Sequence, residues 1–323
     1  MGPILLSAAE LERLLPMGEL VAATKDAFAA LASGRAQLPQ RAVLRTEGGL
    51  TLVMPGAIGE RALGAKLVSL FPGNPERGRP TLQGLVLLLD PATGSPAGLL
   101  DAASLTALRT GAVAGAATDL LARPDARVGA VIGSVPQART QALALDAVRE
   151  FDELRFAARD RAKLERFVSD LAPRLRARAT ACATPAEAVR AADVVSTATD
   201  ASAPLFASAD LAEGVHLNAV GSFTLQMREL DDETIADARV FVDSREAALE
   251  EAGELVGAVR AGRTRPEDWT ELGELVLGRS PGRRDRRERT LFKSVGLALQ
   301  DLAAGALALE RARAAGIGRV IDL

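Results

Sequence analysis

The stretch Gly98–Arg139, GLLDAASLTALRTGAVAGAATDLLARPDARVGAVIGSVPQAR, decides how this chain is read. Within it, Val128 to Ile132 is a short unbroken apolar run, as expected of a parallel strand covered on both faces. Gln137 onward reads as helix, with Ala138, Leu145 and Val148 on one side. The turn between them, Gly133-Ser134-Val135-Pro136-Gln137-Ala138, is an altered G-x-G-x-x-G/A turn, the kind that receives a dinucleotide pyrophosphate. There the first glycine permits the tight bend and the second lets phosphate approach the backbone. The third small residue packs helix on strand, and the helix N-terminus supplies N–H groups and a positive dipole end. Gly133 and Ala138 meet the first and third requirements. Val135 stands where the second glycine belongs, and Pro136 removes one donor N–H, although proline suits the first turn of a helix. Taken alone, the same residues also describe an ordinary strand-turn-helix.

Outward from this turn, composition narrows the possibilities. A chain of 323 residues has room for two domains with sizeable cores, and 48% apolar with 25% charged residues is ordinary for a globular protein. A net charge of −3 gives no reason to expect a nucleic-acid partner. Arg283 to Arg289, RRDRRER, is basic but carries its own acids and follows Ser280-Pro281-Gly282, so it reads as a solvated loop. No apolar run approaches the roughly 18 residues of a membrane span, and the acidic start MGPILLSAAELERLL does not resemble a secretory signal, so a cytoplasmic location without membrane association is expected. Cys182 is the only cysteine, which removes intramolecular disulfides and thiolate metal sites. His216 is the only histidine and lies in the apolar run GVHLNAVG, where a structural role is expected. Chemistry must therefore come mainly from Lys, Arg, Asp, Glu and a cofactor.

The periodicity changes character near residue 115. Before it, a helix over Leu11 to Leu31 is followed by strand-like runs at Ala42 to Arg45, Leu50 to Met54, Leu63 to Leu70, Leu85 to Leu89 and Pro96 to Leu100, spaced as in an antiparallel meander. From Arg127 the rhythm is strand, helix, strand, helix, the signature of a doubly wound parallel sheet. A long last helix, Leu291 to Ala315, would carry Val295, Leu299, Leu302, Ala306 and Leu309 on one stripe. The fold class expected is α/β: a central Rossmann-type sheet over 116–293, plus a discontinuous α+β domain built from 1–115 and 294–323.

Three cations stand in or beside apolar segments: Arg41, Lys66 and Arg109. Lys66 alternates with Gly64, Val68 and Leu70 on a strand face that otherwise reads as buried. Burying a charge is costly unless an anion pairs with it. A substrate carboxylate gripped by a guanidinium is one such anion, and a protein carboxylate is another.

Several segments in order along nearly the whole chain resemble the ornithine cyclodeaminase/μ-crystallin family. They are Pro39-Gln40-Arg41, Gly64-Ala65-Lys66, Leu87 to Gly94, Leu105 to Ala112, Gly133 to Arg139, Ala192 to Thr199, Asn218-Ala219-Val220-Gly221 and Leu291 to Gly296. The resemblance implies a homodimer whose discontinuous domain binds substrate and dimerises. It further implies a nicotinamide cofactor used to interconvert amino acids and their imines. On that basis Arg41 and Arg109 would hold the substrate carboxylate, and Lys66 would serve the carboxylate or the proton on the imine side. Thr110 and the turn Gly133, Ser134, Val135, Pro136, Gln137 and Ala138 would hold the nucleotide. Thr197, Ala198 and Thr199, with Val220, Val295 and Gly296, would wall the nicotinamide.

After the second strand of the parallel sheet, Ala157-Ala158-Arg159-Asp160-Arg161 offers two arginines where NAD-binding chains usually place an acid for the ribose hydroxyl. Arg159 and Arg161 favour NADP(H), and Asp160 keeps NAD(H) possible. In the cyclodeaminase branch an aspartate in a Gly-Asp-x-Pro-Gly pattern moves the proton, but Phe223 occupies that place here. Phenylalanine cannot move a proton, so ornithine cyclodeaminase activity is not expected. The resemblance then points to reduction of a small cyclic ketimine carboxylate such as Δ1-pyrroline-2-carboxylate or Δ1-piperideine-2-carboxylate. An alanine-dehydrogenase-like or N-alkyl amino-acid dehydrogenase, and a non-catalytic μ-crystallin-like binding protein with a weakened cofactor site, are the alternatives.

Overall fold

Sixteen strands and eleven α-helices make up a computed structural model that describes residues 2–134 and 136–322. In chain order the strands are β1 (Ile4–Leu6), β2 (Ala36–Gln37), β3 (Ala42–Thr46), β4 (Gly49–Ile58), β5 (Ala62–Leu70), β6 (Leu82–Leu89), β7 (Pro96–Asp101), β8 (Val128–Ile132), β9 (Glu153–Ala157), β10 (Arg178–Ala181), β11 (Val194–Thr197), β12 (His216–Ala219), β13 (Ala238–Val242), β14 (Thr270–Glu271), β15 (Arg289–Lys293) and β16 (Arg319–Val320). The helices are α1 (Ala8–Leu14), α2 (Met17–Ala32), α3 (Ala102–Leu121), α4 (Pro136–Val148), α5 (Arg161–Leu171), α6 (Pro185–Val189), α7 (Asp232–Ala236), α8 (Arg245–Glu251), α9 (Gly253–Arg260), α10 (Leu272–Val276) and α11 (Ala298–Ala315). Two compact units result: the chain up to Arg109 with Leu297 onward, and Thr110–Gly296. The change of unit falls within α3, six residues ahead of the change in sequence rhythm.

In the first unit the sheet order is β16-β1-β7-β6-β5-β4-β2, with β3 also on β4. Every pairing is antiparallel except β1 with β7, so the closely spaced runs do form a meander. Alternation along β5 puts Gly64, Lys66 and Val68 on the covered face. Lys66 sits level with Met54 of β4 and Val86 of β6, both buried. Helix α11 packs over this part of the sheet, and Leu302 comes so close to Gly56 and Gly64 that an added Cβ would lie 3.0–3.2 Å from its methyls. The glycines thus let the helix approach.

The second unit contains one sheet of eight strands, order β10-β9-β8-β11-β12-β15-β13-β14, with every pairing parallel. This is the doubly wound arrangement: the chain starts in the middle at β8, winds outward to β10, then returns to place β11 on the other side of β8. The reversal between β8 and β11 is where such sheets open a crevice at the carboxyl ends of the strands. β8 and β11 are almost wholly buried, which accounts for their continuous apolar runs.

Two helix readings are corrected. Leu11 to Leu31 is not one helix: Pro16 lacks the N–H needed in a helix interior and instead caps α2, leaving α1 separate. Leu291 to Ala315 is not helical throughout, because Leu291, Phe292 and Lys293 belong to β15, paired on both sides with β12 and β13. Gly296 then turns the chain at φ +87°, and α11 begins only at Ala298. The apolar stripe holds for Leu299, Leu302 and Leu309, which are buried, while Val295 lies outside the helix.

Candidate active site

In the first unit, Lys66 and Arg109 are both buried and converge on one carboxylate that the sequence reading missed, Asp301 of α11. Lys66 Nζ donates to Asp301 Oδ2 at 2.8 Å and lies 3.5 Å from Thr106 Oγ1; Arg109 Nε donates to Asp301 Oδ1 at 3.3 Å. Arg109 also donates to Gln300 Oε1, which fixes the orientation of that amide and leaves its buried Nε2 with no hydrogen bond among the described residues. Burial pulls the Lys66 ammonium down to about 8; Asp301 opposes this, and Arg109 and the more distant Arg41 add to it. Arg41 is half-buried immediately before β3. Two buried cations on one carboxylate, beside an unspent amide donor, make a place prepared for one more anion.

In the second unit, Gly133 follows β8 at φ +134°, a conformation L-residues rarely adopt, and a Cβ there would sit 2.5 Å from the Ala198 carbonyl oxygen. Ala198 in turn donates its N–H to Ile132 O at 2.9 Å. The turns after β8 and β11 are therefore in mutual contact at the switch point. Pro136 occupies the first position of α4, where its missing N–H costs no intrahelical bond, and Ala138 is fully buried against the sheet. Ser134 and Gln137 are half-buried at the same helix start, whereas Val135 lies outside the described residues. Thr110 is buried in α3, and its carbonyl accepts from Gln141 Nε2 of α4 at 3.0 Å. A Cβ on Gly111 would come 2.5 Å from Thr140 O, so this glycine allows α3 and α4 to pack closely.

The residues after β9 divide their roles. Asp160 caps α5, its Oδ1 accepting from Lys163 N at 3.0 Å, and that hydrogen bond holds its carboxyl below the usual range. Arg159 is exposed, 3.5 Å from Asp200, and Arg161 pairs with Glu165 one turn along at 2.7 Å.

The remaining turns are held by buried carboxylates that were absent from the sequence reading. Glu229 accepts from Thr197 Oγ1 (2.8 Å), Thr199 N (2.7 Å), Thr199 Oγ1 (2.8 Å) and Gly221 N (2.9 Å). Val220 is buried beside this junction. Asp243 Oδ2 accepts from Ser294 Oγ (2.7 Å), Val295 N (3.0 Å) and Gly296 N (2.9 Å). Behind Glu229, Glu254 forms a wholly buried ion pair with Lys293 at 2.8 Å and accepts from Ser222 Oγ and from Glu229 N, each at 2.8 Å. Burial, reinforced by Glu254, pushes the Glu229 carboxyl up; burial likewise raises that of Asp243. Phe223, where an acid would be needed for ring closure with ammonia loss, is 43% exposed on the following loop.

His216 is buried within the sheet, bonded through its ring nitrogens to Thr290 and Asn218, and burial with Arg283 nearby pushes its pKa down to about 3. It is a neutral structural group. No cluster of three or more potential metal-ligating side chains occurs among the described residues, and no described helix is long and apolar enough to cross a membrane.

The model of the ornithine cyclodeaminase/mu-crystallin family matches residues 1–316. The chain belongs to that family. A Δ1-pyrroline-2-carboxylate reductase of Bacillus cereus is 39% identical over 99% of both chains. Among solved structures, the Thermococcus litoralis Δ1-pyrroline-2-carboxylate reductase, in complex with NADH and L-proline, superposes with a TM-score of 0.94 at 36% identity, covering 98% of this chain and all of the other. An archaeal alanine dehydrogenase, a dimer with bound NAD, gives 0.92 at 35% identity with full coverage of both. These neighbours share the mixed fold with a parallel nucleotide-type sheet.

Proposed function

We propose that this family member reduces a small cyclic ketimine carboxylate, Δ1-pyrroline-2-carboxylate or Δ1-piperideine-2-carboxylate, to the cyclic amino acid, using a nicotinamide nucleotide. The observation that carries this reading is the pairing of Lys66 and Arg109 on the single carboxylate of Asp301, beside the unspent Gln300 amide. Arg109 and Arg41 bind the substrate carboxylate, with Gln300 Nε2 as a further donor. Lys66 Nζ, brought to about 8, keeps a transferable proton at neutral pH and supplies it to the imine nitrogen. Asp301 holds both cations in place and accepts no proton in this scheme.

The second unit's turns fit a dinucleotide. Gly133 in its positive-φ conformation leaves space a side chain would fill, and the start of α4 offers N–H groups toward phosphate. Thr197, Ala198, Thr199, Val220, Val295 and Gly296 surround the ring. When bound, the nicotinamide supplies hydride to the imine carbon. Asp160 is committed to capping α5 and Arg159 is exposed beyond β9, which favours NADPH through its 2′-phosphate; NADH remains a usable donor, as the NADH and NAD complexes of the related structures support. A homodimer is in keeping with the archaeal relative.

Titration of nucleotide-free protein with NADPH and NADH, followed by turnover with the two cyclic ketimines, tests the reading. Micromolar nucleotide binding with reduction of either imine supports it. Binding without turnover on cyclic imines, but with activity on pyruvate plus ammonia, would favour the alanine-dehydrogenase-like alternative suggested by the archaeal neighbour. Failure to bind either nucleotide would leave only a binding role.

A further inference from the structure

We infer that Glu229 and Asp243 are positioning residues for the nicotinamide ring, acting through the turns they hold rather than by touching substrate or cofactor. The inference rests on the cofactor reading above. The turns assigned to the ring come from three separate places in the chain, after β11, after β12 and after β15, and none of them is held by sheet hydrogen bonds alone. Glu229 ties the first two together: one carboxylate accepts two backbone N–H groups and two hydroxyls, from Thr197, Thr199 and Gly221. A Cβ at Gly221 would meet Glu229 Oε1, Thr199 N and Thr199 O, each at 2.4 Å, so the junction is close-packed around the carboxylate. Asp243 gathers the third turn through Ser294, Val295 and Gly296, and its other oxygen accepts Ser244 N–H at 2.9 Å.

Both carboxylates are essentially inaccessible to solvent. Burying one is costly, and a fold that only needed to close these loops could use apolar packing. What the carboxylate adds is direction: its four lone-pair sites fix several donors in one geometry. The Glu254–Lys293 pair anchors Glu229 from behind, with Glu254 Oε2 accepting the N–H groups of Glu229 and Leu230 at 2.8 and 3.2 Å. Hydride transfer is sensitive to sub-ångström placement of donor and acceptor carbons, so a loosened wall costs rate before it costs affinity.

The test compares wild type with Glu229→Gln and Asp243→Asn, which preserve size but replace an acceptor oxygen by an NH2 group facing the N–H donors. NADPH affinity, governed by pyrophosphate and ribose contacts, should stay within about threefold, while kcat falls by at least tenfold. The primary isotope effect with C4-deuterated NADPH should rise, because hydride transfer becomes rate-limiting, and a purely structural role would not move it. If either variant folds poorly, Thr199→Ala and Ser294→Ala remove single hydroxyl donors and should shift kcat and the isotope effect in the same direction by smaller factors. Folded variants with wild-type kcat and isotope effect overturn the inference. Absence of nucleotide binding in the wild type would instead overturn the cofactor reading on which it rests.

Discussion

The cation cluster of the first unit and the turns of the second solve opposite problems. In the first, the proposed function has side chains contact the ligand with backbone as scaffold: Lys66 on β5 and Arg109 on α3 are held by regular elements, and their chemistry is visible as charge inside apolar sequence. In the second, the same proposal has backbone meet the ligand with side chains as scaffold: Gly133, Gly221 and Gly296 shape the turns, and Glu229 and Asp243 hold them from behind. Removing a side chain should therefore be sharply felt in the first unit and only graded in the second.

The largest effect expected is from Arg109→Ala. Losing a buried, charge-assisted contact to the substrate carboxylate costs about 2–5 kcal/mol of binding, or roughly 30- to 5,000-fold in kcat/KM, while nucleotide affinity should stay within about twofold. Steady-state kinetics with a nucleotide titration check both, and an equally active variant removes the carboxylate clamp.

Lys66 comes next. Its pKa near 8 means the ammonium is present below that pH and lost above it, so the rate of imine reduction should fall as pH rises through about 8, and oxidation of the amino acid should gain over the same interval. Lys66→Met should abolish this limb of the pH–rate profile along with most activity. A profile flat from pH 7 to 10 in the wild type would remove Lys66 as proton donor.

Smaller again, Gln300→Leu removes one neutral donor and should raise KM for the imine by about 5- to 30-fold with kcat little changed, given the ~1–2 kcal/mol value of such a bond. Unchanged KM would show that the Gln300 amide faces elsewhere. The smallest effect falls in the second unit: Arg159→Ala, an exposed charge worth about 0.2–1 kcal/mol, should lower the NADPH-over-NADH affinity ratio by no more than about fivefold. No change in that ratio would break the NADPH assignment.

The same contrast explains what could be read from the chain beforehand. The parallel sheet was legible because β8 and β11 are continuous apolar runs, and the meander because turn residues punctuate it at short intervals. Lys66 and Arg109 were legible as cations where burial was expected. Asp301 was not, since Gln300 and Asp301 fall between the stripe positions Leu299 and Leu302, where polar residues of a helix ordinarily face away from the apolar stripe. Glu229 and Asp243 carry no local signal: each lies in an ordinary polar context, and apart from Ser244 next to Asp243 its donors come from 8 to 53 residues away. Only the three-dimensional convergence of turns reveals them. β15 was mistaken for helix because Leu291-Phe292-Lys293 is too short for its period to tell strand from helix.

The sharing of Asp301 also bears on how the protein is made. Lys66 and Arg109 precede that carboxylate by 235 and 192 residues, so a ribosome synthesises the whole of Thr110–Gly296 before the counter-charge exists. Until α11 emerges, the first unit holds two cations it can bury only at high cost, whereas the inserted unit already has all eight of its parallel strands. During synthesis the middle of the chain can therefore mature ahead of the beginning, an inversion of the usual amino-to-carboxyl order of domain folding.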